Sequence, residues 1–235
     1  MTTNPDRQKF LCSLVVPLLI VALMWAVKIV EASLGIDLGR YGLVPHTVSG
    51  LVGILTMPFL HGGWEHLFAN TVPILVLGTA LFYFYPTLSV RVLIITYLSS
   101  GLLTWCIGDA CSTHVGASAL VYGLNLFLIV SGFIRGNRSL IVISLIMVFL
   151  YGSFLWGMIP SLAIPQHISW EGHLAGAIIG IFLAILFRKE GPQKEEHHWD
   201  DDSDEDDTPS NGEKPYWDVP TPTNDDLTVV YRMRH

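Results

Sequence analysis

Residues 61–70 read HGGWEHLFAN and stand at the head of an apolar run that continues to residue 85. Two histidines, a glutamate and an asparagine open a stretch that otherwise suits lipid. His66 and Asn70 are spaced i,i+4, so they share one face of any helix that forms here. Polar and ionisable groups within a membrane-spanning segment are costly, and they usually face a bundle interior or a water-filled cavity. What these residues face is therefore the question on which the reading turns.

The rest of the chain supplies the context. Of 235 residues, 51% are hydrophobic and only 14% charged, with a mean hydropathy of +0.50. Soluble domains carry about a quarter charged residues, so this is the composition of a membrane protein. The net charge of −7 is unevenly spread. Residues 1–189 hold nine Lys/Arg against six Asp/Glu (+3), and residues 190–235 hold four against fourteen (−10). The acidic segment, with DDSDEDD at 201–207 and several prolines, has too little apolar surface to offset its ordering entropy. It is expected to be a disordered, solvated tail. No basic patch is present to neutralise phosphates, which argues against nucleic acid as a partner.

A spanning helix needs roughly 20 mostly apolar residues. Six stretches qualify: 10–30, 67–85, 90–107, 117–134, 139–159 and 170–187. The first is long and is followed by VKIVEASLG at 27–35, with no clear small-residue cleavage site, so it reads as a retained helix and not as a signal peptide. Positive charge sets the orientation. With the N-terminus inside, Arg7, Lys9, Arg91, Arg135, Arg138, Arg188 and Lys189 all flank spans on the cytoplasmic side, leaving Lys28 and Arg40 outside. The expected organisation is a cytoplasmic N-terminus at 1–9, a six-helix membrane domain at 10–189 and a cytoplasmic acidic tail at 190–235. Between the first two spans, VSGLVGILTMPFLH at 48–61 is too short to cross, and it reads as a re-entrant or interfacial segment. Cys12, Cys106 and Cys111 have no metal-ligand spacing; Cys106 and Cys111 are open to being either a bridge or two inert thiols.

In this topology the even-numbered spans begin at the outer surface, and each begins with polar residues. The second opens with His66 and Asn70, the fourth with Ser118 in GASALVYG (116–123), and the sixth with His173 in EGHLAGAIIG (171–180). His173, Gly176 and Gly180 follow i, i+3, i+7, so the histidine shares a face with a GxxxG pair that admits close helix approach. Gly116, Ala117, Ala119 and Gly123 leave equally little bulk around Ser118. Contact between the fourth and sixth spans would bring His173 to the serine hydroxyl, with Tyr122 placed to lie against the imidazole.

These residue types suit one chemistry. A serine hydroxyl is a weak nucleophile until a neighbouring base takes its proton. Histidine, titrating near neutrality, can accept that proton and return it to a leaving amine. The oxyanion formed on attack needs donors already aimed at it, and His66, the Asn70 amide and the Ser118 backbone N–H are the available set. No acid completes a triad, since Asp109 lies in a loop and Glu171 is two residues from His173. A Ser–His dyad is expected, with no metal or other cofactor.

HGGWEHLFAN resembles the HxxxxHxxxN motif of the rhomboid intramembrane serine proteases. GAS followed by Tyr122 resembles their nucleophile segment, and GHLAGAIIG their HxxGxxxG helix. The resemblance covers residues 10–187 in the family's order and omits the tail. It implies an all-α, six-helix bundle with Ser118 as nucleophile, His173 as base, and His66 with Asn70 stabilising the oxyanion. His61 would be structural, and Gly116 would shape the site. The implied activity is endoproteolysis of single-span membrane proteins near the outer face, in a multi-pass protein of a prokaryotic plasma membrane. Two features depart from the family: Ala119 replaces the common glycine after the nucleophile, and Val52 and Gly53 stand where a Trp-Arg pair is frequent. A catalytically silent relative that binds helices without cutting them is the alternative, but such a protein should lack the serine or the histidine. A metal-dependent protease would want His-Glu-x-x-His on one helix, and a transporter would show broken helices in matching halves.

Overall fold

The computed structural model describes residues 4–151, 169–191 and 193, all within one compact unit that ends at Lys194. Among these residues the secondary structure is helical, and an isolated antiparallel bridge between Leu43 and His114 is the one extended pairing. Helix α1 (Pro5–Leu34) starts where Asn4 Oδ1 accepts the Asp6 N–H at 3.0 Å and Pro5 occupies the first turn. It ends at Gly35 in the left-handed conformation (φ 62°). A connecting segment follows, built from 3-10 turns at Gly39–Tyr41, Ser49–Val52 and Met57–Phe59 and one α-helical turn, α2 (Gly53–Thr56). The main helices then run α3 (Trp64–Phe84), α4 (Ser89–Ile107), α5 (Ser118–Arg135), α6 (Arg138–Tyr151) and α7 (Trp170–Leu186).

Helices α1, α3, α4 and α5 are long and apolar enough to cross a membrane, and α6 and α7 are shorter apolar helices. The burial pattern has the sense expected in lipid. Along α4 the buried face is Val92, Thr96, Ser100 and Thr104, whereas Val90, Ile94, Leu98 and Leu102 are exposed on the other side. Small and hydroxyl side chains thus face the bundle and large apolar ones face outward. Thr104 Oγ1 satisfies itself by donating to Ser100 O at 2.7 Å. Phe10, Leu19, Ile178 and Phe182 continue the exposed apolar belt on α1 and α7. Such continuous apolar exposure marks a membrane-facing surface.

Close backbone approach positions the two helices that matter most. A Cβ built on Gly176 would lie 2.0 Å from Ala119 O, and one on Gly180 would lie 2.1 Å from Gly123 O. These glycines therefore set α7 directly against the backbone of α5. Gly176→Ala is expected to cost about 3 kcal/mol, since the obstruction is main chain and can yield only if the helices separate. Gly62→Ala, whose added methyl meets open space, is the control. Thermal melting of both variants in one detergent checks this; equal midpoints would refute the packing argument.

At the opposite end of α5, Arg135 is buried and caps α7. Its Nε donates to Ser131 Oγ (2.8 Å), Nη2 to Phe187 O (2.8 Å) and Nη1 to Glu190 O. The buried charge thus meets the carbonyl of the α7 C-cap residue, Phe187, and that of Glu190 in the turn that follows.

The helix limits differ from the sequence expectation by a few residues. The largest difference is at α1, which begins at Pro5 and not at residue 10 because the Asn4 cap and Pro5 already nucleate it. Residues 152–159 of the fifth expected span and the expected acidic tail from 194 onward lie outside the described residues. The three cysteines are exposed free thiols, which decides the open question about Cys106 and Cys111.

Candidate active site

The N-terminal ends of α3, α5 and α7 meet at one end of the bundle. Residues 108–117, which lead into α5, are held from several sides. His114 pairs with Leu43 through both backbone bonds (N–H to O 2.8 Å and, in return, 2.9 Å), and the Gly116 N–H donates to Met57 O at 2.8 Å. Gly116 adopts φ +106°, and a Cβ there would stand 2.6 Å from His66 Nε2 and 3.4 Å from Asn70 Nδ2. Only glycine both tolerates this backbone and leaves the space. The segment before Ser118 is thereby laid against the His66/Asn70 face of α3.

Ser118 is the first residue of α5 and is half-buried. The N–H groups of its first turn have no intrahelical acceptor, and no side chain caps the helix in their place. The helix dipole favours negative charge at the same place. One turn on, Tyr122 is buried and stacks on His173, with ring centroids 4.1 Å apart and planes 11° from parallel. Since Ser118 and Tyr122 are i,i+4, the serine lies on the face of α5 that meets the histidine. Among the described residues no hydrogen bond joins Ser118 to His173. Asn70 is buried; its Nδ2 gives one proton to His66 O at 3.1 Å and retains a second.

His61 lies outside this cluster of donors and braces it. Its ring meets His66 edge-on (centroids 5.2 Å), and its carbonyl accepts from Lys28 Nζ at 2.9 Å. Lys28 also pairs with Glu31 at 2.8 Å, and Glu31 in turn accepts the Leu38 N–H. The two family departures have structural counterparts. Ala119 is buried with Leu43 and Met57, so its methyl packs into the connecting segment. Gly53 sits on the Leu43 backbone so closely that a Cβ would come within 2.1 Å of Leu43 Cα.

The family model for the Rhomboid domain matches residues 49–190. The chain belongs to the rhomboid family. Three relatives match most of the chain. Uncharacterized protein Rv1337 of Mycobacterium tuberculosis and Uncharacterized protein Mb1372 of Mycobacterium bovis are each 37% identical over 191 residues, covering 79% of this chain and 79% of their own. Uncharacterized protein ML1171 of Mycobacterium leprae is 34% identical over 191 residues, covering 79% of this chain and 75% of its own. This rhomboid is thus an integral membrane protein, and its family consists of intramembrane proteases and related rhomboid-like proteins.

The structure also brings in residues that the sequence motifs did not single out. His114 is buried between Ser112 and Ser169, and Ser169 Oγ caps α7 by accepting the Gly172 N–H at 3.1 Å. The available signal was spacing: His114 precedes Ser118, and Ser169 precedes His173, by four residues each.

Burial, reinforced by His66, lowers the His61 pKa from 6.5 to about 4, against an opposing bond to Phe59 O. An unfolded chain therefore takes up a proton below pH 6.5 that the folded rhomboid refuses until about pH 4. Stability is full above this window and falls by about 3 kcal/mol as pH drops through it. His61→Asn, which cannot titrate, is expected to lose less melting temperature than the parent between pH 7 and pH 4. Identical pH dependence in both proteins would contradict the assignment.

Proposed function

We propose that this rhomboid is an intramembrane serine endopeptidase that cuts single-span membrane proteins near the outer membrane face with a Ser118–His173 dyad. The observation that carries the reading is the bracketing of Ser118. On one side Tyr122 holds the His173 ring at 4.1 Å, and on the other Gly116 abuts His66 and Asn70. Nucleophile, base and oxyanion donors are thus gathered where three helices begin.

In the proposed reaction Ser118 Oγ attacks the scissile carbonyl carbon while His173 takes the hydroxyl proton. The carbonyl π electrons pass to oxygen, and the oxyanion is met by the Ser118 N–H, Asn70 Nδ2 and His66. Collapse breaks the C–N bond, with the proton on His173 going to the leaving amine. A water then attacks the acyl ester, His173 takes its proton, and return of that proton to Ser118 Oγ releases the acid. Tyr122 restricts the imidazole ring, Gly176 and Gly180 seat α7 on α5, and His61 braces the first loop. The chemistry uses no cofactor.

The reading includes six spans, both termini in the cytoplasm and a cytoplasmic acidic tail, supported by the charge distribution across the spans. The site then opens to the outer side of a prokaryotic plasma membrane. The test is purified protein in proteoliposomes with a panel of single-span substrates, alongside labelling with a serine-directed fluorophosphonate. Cleavage near the outer end of a substrate span and a label on Ser118 are expected. An unlabelled serine together with intact substrates would overturn the reading in favour of a rhomboid that binds helices without cutting them.

A further inference from the structure

His114 sits at the junction of the two segments that carry the proposed dyad. Its Nε2 lies 2.8 Å from Ser112 Oγ and its Nδ1 2.5 Å from Ser169 Oγ. The directions of these bonds follow from their neighbours. Ser112 Oγ–H donates to Asp109 O at 2.7 Å, so its single proton is committed and its oxygen must accept from His114 Nε2–H. The neutral ring is then unprotonated at Nδ1, which accepts the Ser169 hydroxyl proton. Ser169 Oγ, having given its proton away, accepts the Gly172 N–H as the cap of α7. One oriented chain of hydrogen bonds therefore runs from the first turn of α7 through the imidazole to residues 109–112. The same histidine, two residues before Gly116, is tied by its backbone to Leu43.

We propose that His114 is a positioning residue, which sets the entry of α7, and hence His173, against the segment that delivers Ser118. The inference rests on the reading of Ser118 and His173 as nucleophile and base. Burial lowers the His114 pKa, against the opposing carboxylates of Glu171 on α7 and Asp109 on its own loop. The ring is thereby kept in the neutral form that the chain requires. Across the loop, His46 Nε2 bonds Gly108 O at 3.0 Å and so adds a second tie to the same segment. His114 touches none of the proposed reacting atoms. Its effect is on geometry, where a displacement of about 1 Å can cost as much as 10²-fold in rate.

The experiment is a double-mutant cycle on the full chain in proteoliposomes, with hydrogen–deuterium exchange of the Gly172 and His173 amides measured on the same proteins. His114→Ala is expected to lower kcat about 10- to 100-fold with KM nearly unchanged, and to speed exchange in the first turn of α7. His114→Asn, whose Oδ1 can accept the Ser169 proton, should restore kcat to within a few-fold of the parent. In the Ser169→Ala background, His114→Ala should add nothing to either readout. Additive losses, or a His114→Ala protein with parental kcat and parental exchange, would overturn the proposal. If the parent itself neither cleaves nor takes the serine label, the catalytic reading fails, and the exchange cycle alone then decides whether His114 acts through Ser169.

Discussion

Replacing Ser118 by alanine is expected to bring cleavage of a single-span substrate down to background, about 10⁴-fold or more below the parent. Replacing His173 by alanine should do the same, and the double variant should be no worse. In the proposed mechanism nucleophile and base act as one unit, so loss of either would remove the whole pathway. The two variants should differ in stability. Ser118 is half-buried at the first position of α5, where alanine is a good helix former, so its melting temperature should hardly move. His173 is buried and stacked on Tyr122, and truncation forfeits about 1 kcal/mol of ring contact. His173→Phe separates the two effects, because it keeps a ring against Tyr122 without offering a base. It should be as inactive as His173→Ala. Turnover and melting temperature of all four variants check this. A Ser118→Ala protein that retains a sizeable fraction of parental turnover would refute the dyad.

The second large effect is expected at the proposed oxyanion donors. Asn70→Ala should reduce kcat by about 10²- to 10³-fold, the usual cost of one such donor, and leave KM close to the parent. The reason is geometric. One Nδ2 proton is engaged with His66 O, and the other is free toward the site beside Gly116. The oxyanion exists only after attack, so the lost bond stabilises the transition state and not the bound substrate. His66→Ala should behave similarly, and the pair together should lose more than either alone while staying above the Ser118→Ala background. Steady-state kinetics with one substrate in one detergent measure this. A rise in KM at constant kcat for Asn70→Ala would assign the residue to substrate binding instead.

Much of the helical plan was legible because lipid imposes a simple rule. A long apolar run with few charges must satisfy its backbone internally and so forms a helix. The runs that became α3, α5 and α7 each opened on the polar residues now found at one end of the bundle. His66 with Asn70, and His173 with Gly176 and Gly180, could be placed on shared helix faces from spacing alone. The short apolar stretch at 48–61 could likewise be set apart from the spans by its length, and it folds as short helical turns. Start signals were harder to read: Asn4 and Pro5 extend α1 beyond its apolar core through a cap that hydropathy does not register.

The contacts that complete the site, and the one that ties α5 to α7 at the far end of the bundle, were not legible, and they have one feature in common. His114 with Ser169 joins residues 55 positions apart, and Arg135 reaches Phe187 O across 52. Each joins separate segments through side-chain atoms, and whether two such atoms meet depends on how helices are rotated and seated, which no local spacing encodes. The stack of Tyr122 on His173 was suggested by sequence, but its near-parallel geometry is set by the Gly176 and Gly180 backbone contacts with α5. The sequence by itself determined a helical membrane protein with a serine, two histidines and an asparagine at its helix mouths, because periodicity and hydropathy act locally. Only the tertiary structure decided that Gly116 lies on His66 and that His114 bridges to the cap of α7, because those contacts arise from close packing between elements distant in the chain.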